Sequence, residues 1–364
     1  MIALNVKRKL CSVYGHNFFK ITVISFVGLC VGVMISSAAL QLSILNNGCT
    51  KLLTNPFKCV QKEDKLSNYT NTKISRRQSR LISCFKHNFN YVILNDRICK
   101  LYSPNQSVDL IVLVMTTHKN TEERMALRAT WLSYTKNNTA NVRYAFLLGE
   151  IGDQKHKETV MKENSVYHDI IKEDFIDSYL NLTYKTIMGF KWASKKCSHA
   201  QYLMKTDDDM FVNIQNVLNI CKDKHHEILQ KAIIGACQLK ASPIRDQNSK
   251  WYASLASYPG KYYPGFCSGT GYVTSMHVAS EVYKISPSVP FFHLEDVYVS
   301  LCLRKLGFKI QAISGFNAGR PEIDPCLYKG DKLITAHQLT PVMLKSIWHG
   351  NCDRKWKGFW KGFS

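Results

Sequence analysis

Three consecutive aspartates, Asp207 to Asp209, follow a short apolar segment, Tyr202–Met204, and apolar residues resume at Met210. Carboxylates crowded between apolar segments repel one another and lose hydration, so they need a cation close by. Hard divalent ions such as Mg²⁺ or Mn²⁺ take oxygen ligands, often one or two carboxylates completed by substrate phosphates. An acidic cluster at the carboxyl end of a strand also lies where open α/β sheets bind ligands. The pattern therefore indicates a metal site, and an Asp-rich turn between two strands is the alternative.

Acidic residues recur at Glu295 and Asp296, directly before a predicted helix over Val297–Leu306. Carboxylates at a helix start feel its positive end, so this pair can stay ionised near pH 7. A histidine, His337, ends a predicted strand over Leu333–His337 and can bind a metal through one ring nitrogen. Helix capping for the acids and packing for the histidine are the alternatives.

Two arginines lie four residues apart on a predicted helix over Thr121–Trp131, for which Thr121 is the expected N-cap. Arg124 and Arg128 therefore project from one helical face. Two stacked guanidiniums suit a diphosphate, and a pair of solvated surface arginines is the alternative. Farther along, Trp251–Cys267 is rich in Tyr, Pro and Gly. That composition suits either a sugar-binding wall or a packed loop.

The elements that must position these residues alternate between strand and helix. A continuous apolar segment over Asp109–Met115 is typical of a parallel strand covered on both faces. The full order is β-α-β-α-α-β, which predicts a mostly parallel sheet with helical crossovers. The other predicted elements are strands at Tyr91–Leu94, Val142–Leu148, Tyr202–Met204 and Ala232–Gly235, and helices at Lys155–Asn164, Leu182–Cys197 and Pro341–Trp348.

The charge balance points to anionic partners. Lys and Arg number 48 against 27 Asp and Glu, a formal net charge of +21. Such an excess suits nucleotide phosphates, membrane surfaces or acidic glycans, although a general bias towards Lys and Asn also explains it. The chain has no Lys/Arg-rich block and no stripe of alternating basic and aromatic residues, so we expect no nucleic-acid partner.

An uncharged apolar segment over Ile21–Leu45 follows a basic segment, Met1–Lys20, that has no acidic residue. About 20 apolar residues span a bilayer, and the positive-inside rule places residues 1–20 in the cytosol. A cleaved signal peptide would have a shorter apolar region of roughly 7–15 residues. We therefore predict an uncleaved signal-anchor, a polar stem over residues 46–106 and a folded domain over residues 107–364.

Cysteines and glycosylation sequons both fit a lumenal domain. Of the 13 cysteines, Cys11 and Cys30 lie before or within the apolar segment and the other eleven follow it. Their dispersed spacing predicts disulfides in an oxidising lumen rather than a zinc site. Because eleven is odd, at least one stays free or pairs between chains, which leaves a homodimer open. Sequons of the Asn-x-Ser/Thr type occur only after that segment, at Asn68, Asn105, Asn137 and Asn181.

In combination, the motifs between Leu110 and Trp348 resemble the β1,3-galactosyltransferase family of Golgi enzymes, which also includes β1,3-N-acetylglucosaminyltransferases. Leu127, Ala129 and Ser300 depart from the usual pattern, as do Gly260 and Gly265 in a loop that commonly reads Tyr-Pro-Pro-Tyr. The motifs that carry the resemblance are Arg124-x-x-x-Arg128-x-Thr130-Trp131, Phe146–Gly149, Asp169–Ile171, Asp174–Tyr179, Asn181-Leu-Thr-x-Lys185-Thr186, Lys205–Asp209, Cys267–Tyr272, Glu295–Tyr298, Cys302–Gly307 and Ile334-Thr-x-His337-Gln338.

The resemblance implies a GT-A fold, in which one Rossmann-like α/β domain binds a UDP-sugar and a metal, Mn²⁺ or Mg²⁺. It also implies a single-pass type II protein of the Golgi membrane with a lumenal catalytic domain. Within the motifs we expect Asp209 as the first metal ligand, Asp207 as the second and His337 as a third. Asp208, Arg124, Arg128 and Lys205 are expected around the nucleotide.

The implied activity is an inverting transfer of a hexose, with galactose from UDP-galactose favoured, to the 3-hydroxyl of a glycan on a glycoprotein or glycolipid. Asp296, or secondarily Glu295, would take the proton from that hydroxyl. N-acetylglucosamine transfer and an inactive glycan-binding or chaperone-like relative are the alternatives. A phosphatase of the haloacid dehalogenase type also uses Asp-x-Asp, but it requires Thr or Val where this chain has Phe211.

Overall fold

The computed structural model of the chain describes residues 87–223 and 225–352. The predicted cytosolic segment, the apolar segment and most of the stem lie outside these ranges. Within them, no helix combines the length and the apolar character that crossing a membrane requires. The strand β1 (Tyr91–Ile93) belongs to the main sheet, so the folded domain begins before residue 107, inside the segment assigned to the stem.

Eight strands form one sheet in the order β1-β4-β3-β2-β5-β8-β7-β9, and β6 and β10 form a separate pair. The strands are β1 (Tyr91–Ile93), β2 (Leu110–Met115), β3 (Val142–Glu150), β4 (Ile170–Ile176), β5 (Tyr202–Asp207), β6 (Phe211–Val212), β7 (Ala232–Gln238), β8 (Phe266–Ser275), β9 (Lys309–Ala312) and β10 (Thr335–Ala336).

The sequence predicts a mostly parallel sheet, and the structure corrects this to a mixed one. The strands β4, β3, β2 and β5 are parallel, but β8 runs antiparallel to both β5 and β7. The outer strand β1 is antiparallel to β4, and β9 is parallel to β7. Antiparallel neighbours need no helical crossover, which is why the aromatic loop over residues 239–265 can join β7 directly to β8.

Helices cover both faces of the sheet. They are α1 (Thr121–Ala129), α2 (Gln154–Tyr167), α3 (Leu182–Lys196), α4 (Ile214–Lys222), α5 (His226–Leu229), α6 (Met276–Ile285), α7 (Glu295–Leu306), α8 (Pro325–Lys329) and α9 (Pro341–His349). Thr121 is the first residue of α1 and Asn120 is its N-cap, so the expected capping position is wrong by one residue.

The strand β4 is absent from the order predicted from sequence. Its apolar residues Ile170, Ile171 and Phe175 are interrupted by charged ones, which conceals a buried strand. Two of those charges are buried and neutralised by residues from other elements. Lys172 lies 2.9 Å from Glu150, and Glu173 lies 2.6 Å from Lys191. From β2 to the aspartates, the order of strands and α-helices is therefore β-α-β-α-β-α-β.

The core confirms that β2 is covered on both faces, because all six of its residues are buried. Leu110, Val112 and Val114 pack in a cluster with Trp131 on one face. On the other face, a Cβ added at Gly189 of α3 would lie 2.9 Å from Leu113 Cδ1. Glycine at this position lets the helix approach the sheet closely.

Disulfides are present, as predicted. They join Cys99 to Cys197, Cys237 to Cys267 and Cys326 to Cys352. Cys221 and Cys302 are free and buried. The remaining cysteines after the apolar segment, Cys49, Cys59 and Cys84, lie outside the described residues.

Candidate active site

The aspartates meet His337 because two very short strands pair. Asp207 is the last residue of β5, and Asp209 precedes β6. The strand β6 pairs antiparallel with β10, with Phe211 opposite Ala336. His337 follows β10 directly, so this pairing brings its ring to the aspartates. One ligand atom from each of Asp207, Asp209 and His337 lies within 4.8 Å of the others.

These three side chains fit a divalent ion. His337 Nε2 lies 3.1 Å from Asp209 Oδ2, and Nδ1 lies 3.1 Å from the carbonyl of Ala318. A metal-binding histidine characteristically donates its other ring N–H to a carbonyl, which orients the ring. The hydrogen bond to Asp209 raises the pKa of His337. Among residues 87–223 and 225–352, no other group of three His, Cys, Asp or Glu could hold an ion in this way.

The middle aspartate has a different environment. Asp208 is buried and accepts hydrogen bonds from Thr116 Oγ1 at 2.6 Å and Asn120 Nδ2 at 2.9 Å. Burial raises the pKa of Asp208 to about 6, although these two bonds oppose the rise. Asp208 therefore fixes the turn after β2, and it is not a member of the three-residue group. Its predicted contact with the nucleotide stays a prediction.

The two arginines of α1 are paired with carboxylates. Arg124 is fully buried and pairs with Glu163 at 2.6 Å. Arg128 pairs with Glu163 at 2.7 Å and with Asp169 at 2.8 Å. Both guanidiniums are therefore engaged by carboxylates of α2 and of the residue before β4. They fix α1 against these elements, which contradicts the alternative of solvated arginines, while the expected contact of both residues with the nucleotide stays a prediction.

Lys205 is buried among the acidic residues of the site. Its side chain is 3% exposed, with the ammonium 2.7 Å from Asp207 Oδ1 and 3.0 Å from Glu295 Oε1. The ammonium also donates a hydrogen bond to the carbonyl of Gly269. Lys205 therefore lies between the aspartate group and the acidic pair, and its expected contact with the nucleotide stays a prediction.

Glu295 and Asp296 form the first turn of α7, for which Leu294 is the N-cap. Glu295 is buried, and its Oε2 accepts hydrogen bonds from Thr186 Oγ1 at 3.1 Å and from the Tyr272 hydroxyl at 3.4 Å. Thr186 and Tyr272 both lie in motifs that carry the family resemblance. The sequence does not show that they bond Glu295, because each comes from an element distant in the chain.

Asp296 is partly exposed and accepts backbone hydrogen bonds from Val297 at 2.8 Å and Gly269 at 3.3 Å. Burial, assisted by the charge of Glu295, raises the pKa of Asp296 to about 7. The expectation that the helix start alone keeps both acids ionised is therefore corrected for Asp296, because burial outweighs the backbone donors. A carboxylate that titrates near pH 7 is suited to act as a general base.

Two exposed aromatic residues, Tyr179 and Trp251, are hydrogen-bonded to each other, and Tyr179 lies near the acids. Trp251 is 48% exposed and Tyr179 is 42% exposed. The pKa of Tyr179 is raised by burial and by the charges of Asp296, Asp207 and Glu295, which places this phenol beside the site. Tyr179 is the last residue of the motif Asp174–Tyr179. No signal in the sequence shows that its ring is exposed. The aromatic loop over residues 239–265 also has a packed part. In this part, Tyr258 and Tyr263 contact each other and Phe292, which lies before α7.

One guanidinium organises this loop from within. Arg245 donates to the carbonyls of Ala253 at 2.6 Å, Tyr258 at 2.8 Å and Gly260 at 3.1 Å. The disulfide Cys237–Cys267 closes the base of the same loop. The loop is therefore held in one conformation at both its base and its centre.

Comparison with known proteins gives consistent results. The Galactosyltransferase family model matches residues 122–314. Beta-1,3-galactosyltransferase 1 of Mus musculus and of Homo sapiens are each 41% identical over 271 residues, which is 74% of this chain and 80% of the relative. Beta-1,3-galactosyltransferase 5 of Homo sapiens is 37% identical over 267 residues, covering 72% of this chain and 84% of the relative.

Solved structures show a weaker likeness. The apo structure of the bifunctional glycosyltransferase WbbM has a TM-score of 0.36 at 8% identity and covers 70% of this chain and 52% of its own. The galactosyltransferase LgtC, in complex with donor and acceptor sugar analogues, has a TM-score of 0.33 at 11% identity, covering 68% and 99%. At these scores the structural likeness adds nothing to the sequence relationship.

Proposed function

Because the chain belongs to the β1,3-galactosyltransferase family and is a glycosyltransferase, we propose that it transfers galactose from UDP-galactose to the 3-hydroxyl of an acceptor glycan. The new linkage is β1,3, and the domain is of the GT-A type. One observation carries the proposal: a buried lysine contacts both Asp207, a member of the group of metal-ligand type, and Glu295, the neighbour of Asp296, whose pKa is near 7.

The donor half of the reaction belongs to Asp207, Asp209 and His337. These residues would hold Mn²⁺ or Mg²⁺, which supplies positive charge against the diphosphate as UDP leaves. Two carboxylates and one imidazole are ligands that Mn²⁺ accepts readily. Asp208 orders the neighbouring turn through Thr116 and Asn120.

The acceptor half belongs to Asp296. In its ionised form this carboxylate removes the proton from the acceptor 3-hydroxyl while the oxygen attacks the anomeric carbon. A positioned general base contributes roughly 10²–10⁴-fold to the rate. One displacement converts the α-linked donor into a β-linked product. Trp251 and Tyr179 offer ring faces beside this carboxylate on which an acceptor sugar can stack.

The same reasoning extends to location. We propose a type II protein of the Golgi membrane, with a cytosolic segment over residues 1–20, an anchor over residues 21–45, a stem and a lumenal domain. The charge-free segment Ile21–Leu45 supports the anchor. Disulfides such as Cys99–Cys197 support a lumenal location, because disulfides persist in oxidising compartments.

A donor screen tests the proposal. Full-length enzyme in detergent micelles is supplied with Mn²⁺ and, in turn, each common UDP-sugar, with acceptors that end in galactose or N-acetylglucosamine. We expect galactose transfer, and we expect a β1,3-specific galactosidase to remove the added sugar. Transfer of N-acetylglucosamine alone would establish the alternative donor. No transfer and no release of UDP from any donor would identify an inactive relative.

A further inference from the structure

One buried lysine stands between the metal-side and the base-side carboxylates. The Lys205 ammonium contacts Asp207 at 2.7 Å and Glu295 at 3.0 Å. Both partners are carboxylates, and a buried ammonium is retained only when such partners compensate its lost hydration. The ammonium is therefore compensated from both sides of the site.

The peptide of Gly269 extends this contact to the base. Its carbonyl accepts a hydrogen bond from Lys205, and its N–H donates to Asp296 Oδ2 at 3.3 Å. A Cβ at this position would collide with Glu295 Oε1 and lie 3.4 Å from Lys205 Nζ. Glycine is the residue that allows this close approach. We call Asp207, Lys205, Gly269 and Asp296 the lysine bridge.

We propose that Lys205 is a positioning residue that fixes the base Asp296 relative to the metal-side aspartate through Gly269. The inference rests on the proposed function, because it takes Asp296 as the base. In physical terms, one internal cation joins β5 to α7. The strand β5 leads into the aspartates, and the helix α7 carries the base. Without this cation, Asp207 and Glu295 would face each other uncompensated and repel.

The bridge also sets the charge around the base. Glu295 and Lys205 face Asp296, together with the phenols of Tyr179, Tyr263 and Tyr272. Lys205 is the cation of this set. Its removal would stabilise the protonated carboxylic acid of Asp296, so a higher pH would be needed to ionise the base.

Two substitutions separate charge from packing. Lys205→Met keeps most of the side-chain volume without the charge, whereas Lys205→Arg keeps the charge. In full-length enzyme we expect Lys205→Met to lose kcat by about 10²-fold, the effect of a misplaced catalytic group. We also expect the apparent pKa on the acidic side of its kcat/KM pH profile to rise by about one unit, which is the effect of losing a nearby opposite charge. Lys205→Arg should keep the wild-type pH profile and restore part of the rate.

Manganese binding, measured by electron paramagnetic resonance, distinguishes positioning of the base from loss of the ion. The lysine bridge predicts that Lys205→Met still binds Mn²⁺ while its rate falls. If Mn²⁺ affinity and rate fell together and the pH profile stayed in place, Lys205 would act only on Asp207, and the inference would be overturned. Lys191→Met is the matched control, because Lys191 is a buried lysine that pairs with Glu173 away from the site. Its kcat and pH profile should not change.

Gly269→Ala tests the bridge without altering any charge, and it serves if Lys205→Met fails to fold. The added methyl group would displace Glu295, so we expect a fall in kcat with Mn²⁺ binding intact. A Gly269→Ala enzyme with the wild-type rate would overturn the inference. An inactive wild-type enzyme would instead overturn the proposed function, so the two failures are distinguishable.

Discussion

Three adjacent aspartates occupy three different environments. Asp207 pairs with Lys205, Asp208 is buried against Thr116 and Asn120, and Asp209 pairs with His337. Crowded carboxylates repel unless each finds its own compensation. Here one is compensated by a fixed cation, one by neutral donors and one by a histidine, so equivalent substitutions along this run should have different effects.

Asp209→Asn should therefore abolish most activity by weakening the metal site. Because the substitution removes one of two carboxylate ligands, we expect Mn²⁺ affinity to fall by at least about tenfold, or 1.4 kcal/mol. EDTA should stop transfer by the wild-type enzyme, and added Mn²⁺ should restore it. The measurement is activity against free Mn²⁺ concentration. Asp223→Asn, at an exposed position, is the control. An Asp209→Asn enzyme that is fully active at low Mn²⁺ would contradict the metal assignment.

Asp296→Asn should lose kcat by roughly 10²–10⁴-fold, because the amide cannot accept the proton. Binding of UDP and Mn²⁺ should stay near wild type. The wild-type rate should rise as the pH increases through about 7, since the pKa of Asp296 is raised and the active form is ionised. Stability depends on pH in the opposite direction. The contribution of Asp296 to the free energy of unfolding is complete in acid and is lost as the pH rises through the same value. Glu295→Gln should lose less activity, and the reverse order would exchange the two roles.

Single side chains show how far sequence reasoning extends. The meeting of Asp207, Asp209 and His337 could be expected, because strand ends collect ligands at one edge of a sheet. The ion pairs of Arg124 and Arg128 could not be predicted. The spacing of the two arginines shows which helical face they share, but it does not show that Glu163 and Asp169 pack against that face. The buried position of Lys205 was likewise hidden, since its neighbour Glu295 lies on a distant helix.

Among the structural elements, the loop between β7 and β8 carries Trp251, one of the two aromatic rings proposed for the acceptor side. Runs of apolar residues predicted β2, most of β3 and the first half of β5. They missed β4, whose charges are neutralised by tertiary ion pairs, and they did not predict the antiparallel placement of β8. An irregular loop has no periodicity to interpret, so its conformation depends on contacts such as those of Arg245.

Arg245→Ala should loosen this loop and weaken acceptor binding selectively. The guanidinium holds three loop carbonyls, and each hydrogen bond contributes about 1 kcal/mol net. We expect the acceptor KM to rise by about tenfold or more, which corresponds to 1.4 kcal/mol, with the KM for UDP-galactose unchanged. Arg245→Lys, which cannot reach three carbonyls at once, should be intermediate. An equal rise in both KM values would show that the loop also serves the donor.

For the whole molecule, the sequons bear on the proposed membrane topology. Asn105 and Asn137 are exposed, whereas the Asn181 amide donates to the carbonyl of Ile176 at 2.7 Å. Asn68 lies outside the described residues. Exposure at the first two sites fits glycosylation in the lumen, and the engaged amide of Asn181 does not.

In sealed microsomes, the domain should be protected from added protease and should carry N-glycans. Asn105→Gln and Asn137→Gln should each increase mobility on gels by one glycan, because both side chains are accessible to the transferase. Asn181→Gln should cause no shift. Treatment with a glycan-removing enzyme should collapse all variants to one band. Digestion of the domain in intact vesicles would contradict the type II topology.

The pairing of β6 with β10 also determines when the metal site can exist. It joins Phe211 to Ala336 across a long stretch of chain, and synthesis of that stretch takes on the order of ten seconds. A nascent chain released before Thr335 contains both aspartates but lacks the histidine. Under the proposed metal assignment, capture of the ion by all three side chains would be a late event in biogenesis, because it requires synthesis past His337.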